Sequence, residues 1–79
     1  MKAKYIVFNN GMSFLIFPET MGHAVVADTI GLNRNSIQGA GFVNILDDKY
    51  FCYGESTSLM IQSRREEDSD LLNMFNGSF

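Results

Sequence analysis

The residues able to support enzyme chemistry are few and scattered along this chain. It has one histidine, His23, and one cysteine, Cys52. A single histidine excludes metal sites built from two histidines, and a thiol within the apolar run Tyr50–Tyr53 fits an inert core residue better than a nucleophile. Ser56 and Ser58 lack the Gly-x-Ser-x-Gly context of a nucleophile elbow. We therefore expect a protein that binds without catalysis and uses no metal or cofactor.

A polar segment directly after the aromatic run is the first candidate for binding. It reads Tyr53-Gly54-Glu55-Ser56-Thr57-Ser58. Its serines and backbone N–H groups can hydrogen-bond a polar ligand, and Tyr53 offers a stacking surface. The alternative is an ordinary solvated connection between two strands.

Two glycines at alternate positions of a predicted strand, Gly39 and Gly41, are the second candidate. They remove side chains from one face of the strand, so that a ligand or another backbone can approach closely. The pattern is not a dinucleotide fingerprint, because no third glycine and no helix start follow it. A bulge or tight sheet packing explains the same spacing, and for the glycines alone we favour that interpretation.

Three basic side chains complete the set of candidate site residues. Arg64 and Arg65 begin an acidic helix, where their charge opposes the helix dipole at a cost of about 0.3–1 kcal/mol. Arginine forks bind phosphate or carboxylate, so the pair predicts an anion site, although the acidic residues 66–70 could simply neutralise both charges. A single histidine on a short helix is more often an ordinary surface or core residue, but His23 could also join Arg34 or Arg64 at one pocket edge.

The composition indicates one small folded domain, residues 1–79, that associates with a partner. The chain is 46% hydrophobic and 13% aromatic, more apolar than a lone domain of this size can easily bury, so we expect a homo-oligomer or a bound partner. A formal net charge of −3 argues against general nucleic-acid binding. No apolar run approaches the ~20 residues of a membrane span, and one cysteine fits a reducing cytosol.

The elements that must position these residues give an α+β fold. We predict about five short, mostly antiparallel strands, a short middle helix and a C-terminal helix. The first two strands, Tyr5–Phe8 and Phe14–Phe17, form a hairpin around an Asn-Asn-Gly turn. The middle helix lies within residues 19–31. Its predicted cap is Thr20, its apolar face is Met21, Ala24, Val25 and Ile30, and its terminator is Gly31.

Sequence patterns in the second half of the chain predict the remaining strands and the C-terminal helix, which has the strongest helix signals in the sequence. Ser36–Leu46 alternates, with Ile37, Gly39, Gly41, Val43 and Ile45 on one face. A turn at Asp47-Asp48-Lys49 leads to a partner strand, and Leu59–Gln62 forms one more short strand. Ser63 and Glu66 have the spacing of a capping box for the last helix.

The order of several short motifs resembles that of a group of small proteins of phages and prophages. The resemblance runs from about Tyr5 to Leu72. The motifs are Phe17-Pro18, His23, Val26-Ala27, Gly39-Ala40-Gly41-Phe42-Val43, Gly54-Glu55-Ser56, Ser58-Leu59, Ser63-Arg64 and Asp68. Similar proteins have Ser-Ala-Gly-Phe-Val where this chain begins with Gly39, so a hydroxyl contact at that position would be missing here.

The resemblance implies a phage accessory protein that acts against host defence in the host bacterial cytoplasm. We expect a non-enzymatic homo-oligomer that sequesters a small anionic, nucleotide-like immune signal near a subunit interface. The expected ligand-binding residues are Arg64, Arg65, His23, Ser56, Ser58, Tyr53, Gly39 and Gly41. The alternative is an inhibitor that covers a host defence protein through its acidic C-terminal half, and a third possibility is a structural phage protein.

Overall fold

The computed structural model describes the backbone of residues 1–77 and the side chains of residues 1–75. These residues form two α-helices and six strands in two antiparallel sheets, which is the expected small α+β fold with one strand more than predicted. The elements in chain order are β1 (Lys2–Phe8), β2 (Ser13–Phe17), α1 (His23–Thr29), β3 (Ile37–Leu46), β4 (Lys49–Tyr53), β5 (Glu55–Ser56), β6 (Ile61–Gln62) and α2 (Arg65–Gly77). A short 3-10 helix, Arg34–Ser36, precedes β3.

The main sheet has the strand order β2-β1-β3-β4, and β5 pairs with β6 in a separate two-stranded sheet. The predicted β1–β2 hairpin is confirmed, with Phe8 opposite Ser13 at its closed end. Its turn has positive φ at Asn9, Asn10 and Gly11 (56°, 56° and 80°). Asparagine and glycine tolerate this left-handed conformation better than other residues, which is why the sequence turns here.

A bulge in β3 changes which side chains share a face. Val7 lies opposite Gly39, but the next residue, Phe8, lies opposite Ile37, so β3 contains one extra residue at this point. The side chain of Ile37 consequently packs in the same cluster as Ala40. The prediction that Ile37 shares a face with Val43 is therefore wrong, because strict alternation assumes a regular strand.

Apolar clusters cover both faces of the main sheet. The cluster beneath α2 contains Ala3, Tyr5, Val7, Val43, Cys52 and Leu72. The cluster on the opposite face contains Ile6, Phe17, Val26, Ala27, Ile37, Ala40 and Leu59. A sheet buried on both faces in this way explains the high apolar content of β1 and β3.

The middle helix forms, but with a different buried face from the predicted one. It begins at His23 with Gly22 as its N-cap, so Thr20 does not cap it. Its buried residues are His23, Val26 and Ala27, spaced by three and four positions, whereas Val25 is 63% exposed. The predicted terminator is confirmed: Gly31 has φ of 75° and donates its N–H to the carbonyl of Asp28.

Side chains of α2 occupy the outer edge of β4. The Asn73 amide accepts a hydrogen bond from the N–H of Tyr50 and donates one to its carbonyl, both at 2.8 Å. Ser69 Oγ accepts from the N–H of Cys52, also at 2.8 Å. These side chains take the place of a further strand, because they satisfy backbone groups that an edge strand leaves open.

We expect Asn73→Ala to lower the free energy of unfolding by about 1–2 kcal/mol, because both hydrogen bonds to Tyr50 are lost. Urea denaturation followed by circular dichroism measures this change. The exposed Asn35 provides the matched control, since Asn35→Ala removes the same group from the surface. Equal unfolding midpoints for the two variants would contradict this role of Asn73.

Candidate functional site

The carboxylate of Asp68 is fully buried between α2 and the main sheet. Its Oδ2 accepts hydrogen bonds from the Tyr5 hydroxyl at 2.5 Å and from the backbone N–H of Arg64 at 2.9 Å. Its Oδ1 accepts from Nε of Arg64 at 3.1 Å, and a second guanidinium nitrogen lies 2.9 Å away. A buried charge needs such partners to offset its lost hydration.

The space that Asp68 occupies comes from Gly39. A Cβ atom at Gly39 would overlap the carboxylate of Asp68. A Cβ atom at Gly41 would lie 2.5 Å from the carbonyl oxygen of Tyr53, where the chain crosses from β4 to β5. Other atoms of the protein thus occupy the space beside both predicted ligand-binding glycines. This agrees with tight packing as the explanation of their spacing.

The start of α2 differs from the predicted capping box. The helix begins at Arg65, and the N–H of Ser63 donates to the carbonyl of Gly54 rather than to Glu66. Asp68 accepts the N–H of Arg64. The Tyr5 hydroxyl gives its single proton to Asp68, so it accepts a hydrogen bond from the Ser63 hydroxyl, 2.6 Å away. Burial and the hydrogen bond to Asp68 raise the pKa of Tyr5 far above its usual range, so this hydroxyl stays protonated as a donor.

The only cysteine lies in the same interior. Cys52 is 5% exposed in the cluster beneath α2. Burial raises the pKa of its thiol to about 11, so the reactive thiolate is scarce at neutral pH. Burial and pKa therefore both agree with the interpretation of Cys52 as a core residue.

A surface cavity of about 490 Å³ lies on the face of the sheet opposite α2. It opens between the start of α1, the middle of β1 and β3, and the segment that follows β4. The residues that line it are Lys4, Gly22, His23, Phe42, Gly54, Glu55, Thr57 and Ser58. Cationic, aromatic, hydroxyl and carboxylate groups are therefore brought together from four separate parts of the chain.

Aromatic and cationic side chains form a row across the strands at this cavity. Lys4 lies opposite Phe42 in the β1–β3 register, and Phe42 lies opposite Tyr53 in the β3–β4 register. The rings of Phe42 and Tyr53 stack with centroids 5.9 Å apart. The ammonium groups of Lys2 and Lys4 lie 4.7 and 5.9 Å from the Phe42 centroid. Two cations thus stand over one aromatic surface.

His23 forms the wall of the cavity and is 4% exposed. Its Nε2 lies 2.8 Å from the carbonyl oxygen of Gly41. A carbonyl only accepts, so Nε2 carries the proton, and in the neutral ring Nδ1 remains an acceptor. Burial lowers the pKa of His23, and the charge of Lys4 lowers it further, against an opposing effect of the bond to Gly41. His23 is therefore neutral at physiological pH.

Some of the predicted site residues meet at this cavity. His23 and Ser58 line it, and Ser58 Oγ also accepts the N–H of Ala24 at 3.2 Å. Tyr53 supports the cavity indirectly through its stacking on Phe42. Ser56 is fully buried and accepts the N–H of Leu59, so its hydroxyl shapes the turn before β6.

The two arginines lie apart from each other and from the cavity. Arg65 lines a neighbouring depression with Gln62 and Ser63, and this depression shares Gly54 and Glu55 with the cavity. Arg64 pairs with Asp68 and with Glu67, at 3.1 Å from the latter. It also lines a depression beside the β1–β2 turn. The structure therefore does not gather the predicted residues in one pocket.

Sequence reasoning missed Lys4 and Phe42 as site residues. A detectable signal was present, because Lys4 interrupts an apolar strand at a position that shares the face of Ile6. Phe42 gave no such signal, since an aromatic residue in a strand is most often part of the core. Only the pairing of β1 with β3 brings the two side chains together.

Comparisons with models of known families, with curated proteins and with solved structures give no significant match to this chain.

The described residues contain no cluster of three or more histidine, cysteine, aspartate or glutamate side chains suited to a metal ion. Within residues 1–77, neither helix has the length and apolarity needed to cross a membrane.

We expect Gly39→Ala to lower the free energy of unfolding by about 2–3 kcal/mol, because the new methyl group displaces the buried carboxylate of Asp68. Gly22→Ala is the matched control, since a Cβ there meets its nearest atom at 3.8 Å. As an N-cap change it should cost less than about 1 kcal/mol. Urea denaturation compares the two, and similar losses would contradict the packing role of Gly39.

The single histidine allows a direct test of the cavity's environment. We expect the folded-state pKa of His23 to lie below its ordinary value of 6.5. The unfolded chain then binds more protons than the native protein, so stability should fall as pH decreases from neutral towards the folded-state pKa. An NMR titration of the imidazole C–H resonance measures the pKa, with the urea-unfolded chain as reference. Equal values in the two states would show that His23 is not buried.

Proposed function

We propose that this protein is a non-enzymatic binding protein that holds a small anionic, nucleotide-like ligand in the cavity beside Phe42. The observation that supports this most is the placement of Lys4 at the cavity, with Lys2 over the same aromatic ring. Lysine ammonium groups are effective phosphate binders. Two lysines are thus placed at one aromatic ring in a chain whose formal net charge is −3.

The groups around Lys4 suit the remaining parts of such a ligand. Thr57 and Ser58 supply hydroxyls, and Glu55 supplies a carboxylate that accepts hydrogen bonds from sugar hydroxyls. His23 presents a neutral ring, so it adds no charge to the wall. A phosphate near Lys4 and a sugar near Glu55 would each meet a complementary group.

The size and the flexibility of the site agree with this assignment. A volume of about 490 Å³ falls within the range of roughly 300–1,000 Å³ typical of small-molecule sites. Lys2 pairs with Glu19 at 3.6 Å, and both side chains are about half exposed. An exposed pair of this kind contributes little stability, so Lys2 is free to turn towards an arriving anion.

Assembly into a homo-oligomer is part of the proposal. Several large apolar side chains are more than 60% exposed in the single chain: Met12, Val25, Met60 and Met74. Contact between copies would cover some of this surface. The resemblance to small phage and prophage proteins supplies the biological context, in which the ligand is a nucleotide immune signal of the bacterial host.

The acidic face of α2 supports the second candidate function, inhibition of a host defence protein. Glu66, Glu67 and Asp70 are exposed on this helix, whereas Asp68 points inward. Such a surface complements a basic partner. The two candidate functions use opposite faces of the main sheet and can be separated by mutation.

We expect native mass spectrometry with a panel of cyclic and linear nucleotides to show a complex containing whole ligand masses. Lys4→Gln should weaken binding of that nucleotide by about tenfold or more, since a charge-assisted contact is lost. Lys49→Gln makes the same charge change at an exposed position remote from the cavity and should leave affinity unchanged.

Two results would contradict the proposed ligand site. One is the absence of binding by any nucleotide in the panel; the other is equal loss of affinity in the two lysine variants. A tight complex with one host protein that survives Lys4→Gln but is lost on Glu66→Lys and Asp70→Lys would instead establish the inhibitor function.

A further inference from the structure

The two outer edges of the main sheet differ in how their backbone groups are satisfied. At the β4 edge, Tyr50 and Cys52 are bonded by side chains of α2. At the β2 edge, no hydrogen bond from elsewhere in the described chain reaches the backbone of Phe14 or Ile16. The open edge is therefore β2.

The register of β1 identifies which groups of β2 point outward. Met1 and Ile45 exchange both backbone hydrogen bonds, at 2.9 and 2.7 Å. Alternation along β1 then directs its odd residues towards β3 and its even residues towards β2. Ile6 is bonded to Leu15 in this arrangement. Phe14 and Ile16 consequently direct their N–H and C=O groups away from the sheet.

β2 lacks three of the features that protect an edge strand from pairing. Its sequence, Ser-Phe-Leu-Ile-Phe, has no charged residue, no internal proline and no bulge in its pairing with β1. Natural edge strands usually contain at least one of these. An apolar edge without these features, in a sheet whose other edge is bonded by side chains of α2, favours association through β2.

We infer that β2 pairs antiparallel with β2 of a second copy of this chain, around a two-fold axis through Leu15. Phe14 then lies opposite Ile16 of the second copy, and each such pair exchanges both backbone hydrogen bonds. The two four-stranded sheets become one continuous sheet. This inference deepens the proposed function, because it rests on the homo-oligomer and assigns its interface.

Side chains along this register are complementary between the two copies. Met12, which is 69% exposed, comes opposite Pro18 of the second copy. Pro18 lines a cavity of about 390 Å³ together with Ile16 and Phe17, so this cavity can receive the methionine. Because the axis is two-fold, the same contact occurs twice. Apolar contacts therefore flank the backbone pairing at both of its ends.

The absence of charge in β2 favours a second copy over a different partner. Leu15 meets Leu15 at the axis, so self-pairing places no like charges opposite each other. On the α2 face, Phe75 packs edge-on against Phe14 with centroids 5.4 Å apart. In the inferred dimer, the Phe14–Phe75 pair of each copy extends the apolar contact from the β2 strands to the α2 helices.

Charge introduced at the axis provides the test. Native mass spectrometry and light scattering should give the unchanged protein a mass of twice the 8.9 kDa chain, or a larger even multiple. Leu15→Lys and Leu15→Glu should each halve that assembly, because like charges then face each other across the axis. Mixing the two variants should restore a heterodimer. Val25→Lys and Val25→Glu, on the exposed side of α1, should have no effect.

Ile16→Pro gives a second test that does not depend on charge. Proline removes the outward N–H while leaving the bonds between β1 and β2 intact, so the folded monomer should persist by circular dichroism and the dimer should be lost. A monomeric unchanged protein at 100 µM would overturn the inference, as would Leu15 variants that keep their assembly. Failure of mixing to restore the heterodimer would also overturn it.

The outcome is separate from that for the ligand site. Lys4→Gln should leave the assembly mass unchanged, because Lys4 lies on β1 and contributes nothing to the β2 edge. Loss of nucleotide binding with an intact dimer would contradict the proposed function alone. A monomer that still binds nucleotide would contradict the inferred interface and the proposed oligomer, and would leave the ligand site supported.

Discussion

The burial of one carboxylate determines how the helix and the sheet fit together. Asp68 is removed from water and placed on β3 at the position where Gly39 has no side chain. Removing a carboxylate from water costs several kcal/mol, and the Arg64 guanidinium, the Tyr5 hydroxyl and a backbone N–H offset that cost together. Tyr5 and Gly39 lie on the sheet, so their contacts with Asp68 set the rotation of α2 about its own axis. The same rotation brings Ser69 and Asn73 to the β4 edge.

Side chains alternate between the two faces of the main sheet, so the residues that pack against α2 and the residues of the proposed binding cavity lie on opposite faces. On β1, Tyr5 and Val7 face α2, while Lys4 and Ile6 face the other side. The α2 side therefore holds the buried polar network, and the opposite side holds the cavity. Side chains on the cavity side can therefore change without disturbing the contacts of Asp68.

Features encoded by neighbouring residues were predictable, and features encoded by distant ones were not. The Asn9-Asn10-Gly11 turn and the Gly31 helix end depend on local backbone preference, and both are present. The hydrogen bond between Tyr5 and Asp68 joins residues 63 positions apart, and no local pattern signals it. The bulge that turns Ile37 to the other face depends on pairing with Phe8. The presence of Gly39 in a strand indicated close packing, but it did not identify the Asp68 carboxylate as the group that packs there.

The difference between the two sheet edges also limits how many copies can add to the sheet. A chain with two open edges can add copies indefinitely and form fibres, whereas a chain with one open edge stops after a single addition. In this protein the Asn73 amide occupies the position of the next strand. The Asn73 side chain thereby satisfies backbone groups that another strand could otherwise bond, so in the inferred pairing through β2 the combined sheet would end in a β4 strand on both sides.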